Sequence, residues 1–228
     1  MGTLASNRKG FITGASASNY SAALNQTTGT ASDSQTNSQN AIQYFKSTGR
    51  GGGTYRFIRT FIHFDTSSIT GGSSFQLQLT SAGANGSACS LSNTTAIKHT
   101  AGGSNGGELA NADFNNIDRN TAYSSATAFG SSGTVTFTLN ATAANQIINN
   151  NDFNVALLLS HDAAEEEEDM LESSGDVTNQ INFASAINLT YTDPVSGYTH
   201  KINSLAAASI GKVNTVATAS VGKVNTVD

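Results

Sequence analysis

The longest run of alternating side chains lies at Tyr55 to Asp65 (YRFIRTFIHFD). One face of an extended strand there carries Tyr55, Phe57, Arg59, Phe61 and His63, and the other carries Arg56, Ile58, Thr60, Ile62 and Phe64. Successive side chains of a strand point to opposite faces, so bulky apolar groups on both faces mark a central strand rather than an edge. Phe75–Leu79 (FQLQL) and Gly133–Leu139 alternate apolar-in and polar-out. Ala41–Lys46, Thr95–His99, Phe153–Ser160 (FNVALLLS) and Ile187–Tyr191 complete a set of about seven short strands. Asn140 reads as the N-cap of one short helix, Ala141 to Asn149, docked by Ile147 and Ile148, because an Asn side chain accepts from the first free N–H groups of a helix. Asn111 to Asp118 reads as a helical turn or loop. No βαβ rhythm appears, so the pattern predicts an all-β antiparallel sandwich. Phe57, Phe61, Phe64, Leu77, Leu79, Phe137, Leu157 and Leu189 are its predicted core.

Both ends depart from this pattern. Residues 1–40 are Ser, Thr, Ala, Asn and Gly with isolated apolar positions at Phe11, Ile12, Tyr20 and Leu24. That composition predicts an arm, extended or flexible, rather than a core element. From Lys201 the chain repeats every eleven residues (KINSLAAASIG, KVNTVATASVG, KVNTVD), aligning Lys201, Lys212 and Lys223. So short a unit buries its apolar residues only against another repeat, another domain or another chain. Eleven residues also make three turns of a slightly unwound helix. The β-branched residues and Gly211 and Gly222 disfavour helix, so short strands are preferred. Ile202, Leu205, Ile210, Val213, Val216, Val221, Val224 and Val227 are the candidate interface. The expected organisation is an arm at 1–40, a sandwich at 41–195 and an assembly tail at 196–228.

Composition narrows the function. Charged residues are 12% of the 228, about half the usual ~25%, and Ser, Thr and Asn together make up roughly a third. A net charge of −5 with only 11 Lys and Arg argues against nucleic acid as a partner, since that needs clustered cations. No run approaches the 18 apolar residues of a membrane-spanning helix. Arg8 and Lys9 precede no apolar block, so no secretory signal is expected. Cys89 is the single cysteine, and an internal disulfide is excluded.

FIRTFIHFDTSSI, Phe57 to Ile69, resembles the strand-and-turn of DNRLRE-type, carbohydrate-binding-module-like jelly rolls. INLTYTDP (Ile187 to Pro194) is similar to the closing strand of that family, and Val135 to Leu159 to its strand, short helix and strand. The resemblance spans about Ala41 to Asp193 and implies a jelly-roll sandwich. Within it, Asp65 is placed to accept a backbone N–H two residues on, an Asx-turn that ends the long strand. The repeated tail is similar to C-terminal motifs of tailed-phage virion proteins, especially of marine phages. Ser204, Thr215 and Thr226 stand where those motifs usually carry Gly, and β-branched Thr disfavours a turn needing positive φ.

Candidate chemistry is sparse. His161 to Asp176 (HDAAEEEEDMLESSGD) carries much of the acid. Asp162, Glu165, Glu168, Asp169 and Glu172 are candidate calcium ligands, because Ca²⁺ takes six to eight oxygens. A solvated loop, or one docked on a basic partner, is the preferred reading, since no EF-hand spacing is present. No cofactor is otherwise expected. His63, His99, His161 and His200 form no zinc motif, and no nucleophile elbow is present, so an enzyme is not expected. Arg59, sharing a face with aromatic groups, reads as a buried arginine paired with a carboxylate, such as one from the acidic segment. Trp is absent, and Tyr123 and Tyr198 are the only tyrosines expected to be exposed for stacking on a sugar. The expectation is a non-catalytic bacteriophage structural protein located in the virion. It would serve as capsid decoration or cement, or as a tail or fibre component. The expected partners are copies of itself, trimer favoured, and a major capsid or tail protein. A carbohydrate-binding module of an adhesin or host-recognition fibre, with a glycan as ligand, is the alternative.

Overall fold

The structure, a computed structural model, describes residues 1–33, 39–47, 53–85, 94–102, 107–129, 132–165 and 177–194, and the backbone of 212–213 and 216–217. The chain divides into two units, Met1–Thr192 and Asp193–Asp228. In chain order the first unit contains β1 (Gly2–Ala5), β2 (Arg8–Gly14), α1 (Tyr20–Leu24), β3 (Gly29–Asp33), β4 (Gln39–Ser47), β5 (Thr54–Asp65), β6 (Ser73–Asn85) and β7 (Thr94–His99). A 3-10 turn (Asn111–Asn115), β8 (Ile117–Ala122), β9 (Gly133–Thr138), α2 (Ala141–Asn149), β10 (Asp152–Leu159), α3 (Ser160–Ala164) and β11 (Val177–Thr192) complete it.

Every strand pair is antiparallel, in the order β8-β7-β10-β5-β4-β11-β6-β9, with β1 added to β11 and β3 reached from β5 through β2. Two long strands change partners along their length. β5 pairs with β4 over Thr54–Ile58 and with β10 over Thr60–Asp65, while β2 takes its other edge. β11 pairs with β4 over its first half and with β1 over Asn188–Tyr191, and β6 follows its far edge through three register shifts. Such exchanges and bulges turn a sheet over on itself. The result is the all-β antiparallel sandwich expected from the alternation.

All eight predicted core residues are buried, within one continuous hydrophobic cluster. β5 is buried on both faces, with Phe57, Arg59 and Phe61 on one and Thr60, Ile62 and Phe64 on the other, and the first of these faces packs on α1 and the 3-10 turn. Tyr20 of α1 lies edge-on to Phe57 at 5.6 Å, and Phe114 of the 3-10 turn lies 4.1 Å beneath the Arg59 guanidinium. Asp65 closes β5 as an Asx-turn, its Oδ1 accepting from the Ser67 N–H at 3.0 Å.

Three expectations change. Residues 2–33 are not an arm. They form β1, β2, α1 and β3, paired to β11 and β5, with Ile12, Tyr20, Ala23 and Leu24 buried. Main-chain pairing is indifferent to Ser and Gly content, so a few apolar anchors suffice. The unit has three short α-helices rather than one, while Asn111–Asn115 forms a helical turn within the stretch expected to be one. β11 starts at Val177, where Ile187 was expected, and adds Ile181 and Phe183 to the core. In the second unit Lys212–Val213 (β12) and Val216–Ala217 (β13) pair antiparallel, the strand form preferred for the repeat. Ile202, Leu205, Ile210, Val221, Val224 and Val227 lie outside the described residues.

Candidate functional site

Two groups of buried polar side chains hold the chemistry of the first unit. The larger centres on Arg59, fully buried on β5. A guanidinium offers five N–H donors, and all five are used. Nε and Nη2 donate to the two carboxylate oxygens of Asp162 at 2.7 and 2.8 Å. Nη2 also donates to the Leu24 carbonyl at 2.9 Å, and Nη1 to the Phe114 carbonyl at 2.8 Å and Asn115 Oδ1 at 3.2 Å. Arg119 on β8 donates to Asp162 Oδ1 at 2.9 Å and to its carbonyl oxygen at 2.9 Å. Glu165 lies 3.4 Å from Arg119 at the rim. Two guanidinium charges therefore face two carboxylates, and one β-strand residue ties together α1, the 3-10 turn and α3.

This is the pairing expected of Arg59 with the acidic segment. Asp162, a candidate calcium ligand by sequence, has its carboxylate engaged instead by the guanidinium groups of two arginines. Glu165 leans on Arg119. Glu168, Asp169 and Glu172 lie outside the described residues. Among the described residues no three His, Cys, Asp or Glu side chains gather as metal ligands. Sequence reasoning missed Arg119, because β8 does not alternate cleanly between buried and exposed positions.

The second group surrounds His63. Its Nδ1 lies 2.7 Å from Asn7 Oδ1, its Nε2 faces Asp152 Oδ1, and Asn7 Oδ1 also accepts from the Asp65 N–H at 3.0 Å. Ser67, Asp65 and Asn151 line an open cleft beside the ring. A Ser–His–Asp arrangement needs one ring nitrogen free to take the hydroxyl proton. Here both nitrogens are held, so the ring joins the end of β5 to the chain entering β2 and to β10. Hydrogen bonds from the Ser67 hydroxyl and N–H hold the Asp65 carboxyl below the usual carboxylate range.

His99 is buried and neutral by geometry. Its Nε2–H donates to the Ile62 carbonyl at 3.0 Å, while Nδ1 accepts from the Ala101 N–H at 3.1 Å. Burial brings its pKa down to about 4. Tyr123, expected to be exposed, is fully buried and packs on Phe153 with ring centres 5.1 Å apart, and burial raises its pKa. Its ring is therefore part of the core rather than the exposed surface expected of it. Tyr198, His200 and Cys89 lie outside the described residues. Compared with models of known protein families and with curated proteins, the chain matches none.

Proposed function

We propose that this protein is a non-catalytic virion structural component of a tailed phage, a capsid decoration or tail or fibre element that assembles with copies of itself through its C-terminal repeats. The observation that carries this reading is the small second unit. Its described strands are two residues long and pair only Lys212 with Ala217 and Val213 with Val216, in a segment that repeats its apolar positions every eleven residues. Roughly 30 residues is below the ~40 at which a chain usually holds a core unaided, so the repeats need another surface to cover their Val and Ile side chains. The similarity of KVNTVATASVG to C-terminal motifs of tailed-phage virion proteins supports the same reading. The buried chemistry described above also fits a structural role, with Arg59, Asp162 and Arg119 consumed in mutual contacts. The N-terminal segment contributes differently from an arm, as strands of the sandwich itself.

The test compares the full chain with one lacking Ile202 to Asp228, by light scattering and by circular dichroism. The expected outcome is an unchanged β signal with a lower oligomeric mass. Equal masses, together with equal binding to the parent particle, would sink the proposal.

A further inference from the structure

Among the described residues, four strands of the sandwich pair on one side only: β1, β3, β8 and β9. An open edge presents unpaired N–H and C=O groups to any passing strand, and natural sheets blunt such edges with brevity, charge, Pro, bulges or a covering element. Three of the four are blunted. β1 is four residues long. β3 is covered by the 3-10 turn, where Asn111 Oδ1 accepts from the Ala31 N–H at 2.9 Å. β8 carries Asp118 and Arg119 and breaks register against β7. β9 has none of these devices among the described residues. Its six residues, GTVTFT, hold no charge and no Pro, and their register with β6 is unbroken. An uncharged groove runs beside it, where the hydroxyl and amide side chains of Ser124, Thr127, Thr136 and Asn140 alternate with the apolar Ala122 and Leu139.

The C-terminal repeat has the complementary need. β12 and β13 form a hairpin of two residues per strand, and an isolated two-stranded hairpin is marginal until a third strand joins it. Its KVNTVA sequence is β-branched and nearly uncharged, suited to a pleated surface. We infer that the β9 edge of one copy accepts the repeat Lys212–Ala217 of a second copy by strand addition. Main-chain hydrogen bonds along β9 would supply the affinity. An edge on one copy and a tail on the next are different surfaces, so the contact is heterologous and builds a ring or a filament according to its rotation. This inference rests on the assembly reading above and names the surface on which the tail docks.

Disulfide trapping tests it on full chains with Cys89→Ser. One preparation carries Thr136→Cys and a second, distinguishable in mass, carries Val216→Cys. They are mixed, oxidised and separated without reductant, and Val213→Cys serves as an alternative tail position. The expected result is a mixed covalent dimer that is lost when Thr121→Cys on β8 replaces Thr136→Cys. A chain carrying both substitutions that closes only on itself would place its own tail on β9 and overturn the inference. Absence of the mixed dimer, in chains whose oligomer still depends on the tail, overturns the β9 acceptor alone. A full chain that stays monomeric at every concentration overturns the assembly reading with it.

Discussion

Arg59 shows how one side chain can specify a fold. A buried guanidinium is tolerated only when its charge is matched and its donors are filled, and those partners come from segments 35 to 103 residues away. Removing one partner leaves an uncompensated charge, so Asp162→Asn is expected to cost about 3–5 kcal/mol in urea unfolding. Arg59→Met combined with Asp162→Leu is expected to cost less than the sum of the single changes, since the cycle removes both charges. The same occupancy predicts that excess Ca²⁺ leaves the melting temperature unchanged, where specific binding at a hundred times Kd would add about 2.7 kcal/mol. His99 sets an acid limit. Its pKa is lowered to about 4 by burial, so between there and the ordinary value near 6.5 the unfolded chain binds more protons than the folded one. Stability is therefore complete above about pH 6.5 and falls as pH drops toward 4, by about 3 kcal/mol for this group. Unfolding free energy measured across that window is expected to flatten in His99→Gln.

At the scale of elements, caps and turns were the most legible features. Asn140 caps α2 through Oδ1, which accepts from the Ala143 N–H at 3.0 Å, and α2 spans Ala141–Asn149 as the pattern indicates. The residue does a second job that no local pattern reveals. Its Nδ2 donates to the Ala122 carbonyl at 2.7 Å and its backbone N–H to the Tyr123 carbonyl at 2.9 Å, tying the start of α2 to the end of β8. Asn140→Ala is expected to lower stability by about 1–2 kcal/mol, and Asn140→Ser, which keeps the cap but loses the Ala122 bond, by a smaller amount. Thermal unfolding of the two variants separates the contributions. Asn19 caps α1 in the same way but sits among Ser, Ala and Asn residues, with no apolar periodicity to frame it. Val177 to Ala184 was hidden because its partners, β4 and β6, lie far away in the chain and its own sequence is mostly polar.

For the whole molecule, sandwich and tail answer to different forces. The sandwich buries a continuous cluster that includes Phe57, Phe64, Phe137, Phe153 and Phe183, and Phe137→Ala is expected to cost about 3–5 kcal/mol. A change under ~1 kcal/mol there would contradict its place in the core. The tail repeats span only about 30 residues, too few to hold a core unaided. Loss of Ile202 to Asp228 is therefore expected to leave the melting temperature of the sandwich nearly unaltered while lowering the mass of the assembly.

Alternation alone determined the all-β class, the positions of the central strands, the capped α2 and the Asx-turn at Asp65, because each depends on residues within one element. It also pointed Arg59 toward a carboxylate of the acidic segment, since an arginine on an apolar face has few other ways to be satisfied. Tertiary structure decided the rest. It chose Asp162 and recruited Arg119, turned Tyr123 inward, and drew the Ser- and Gly-rich first 33 residues into the sheet. Each of these outcomes depends on pairing between distant segments. Main-chain hydrogen bonds and guanidinium geometry select such partners in space, and neither leaves a periodic mark along the chain.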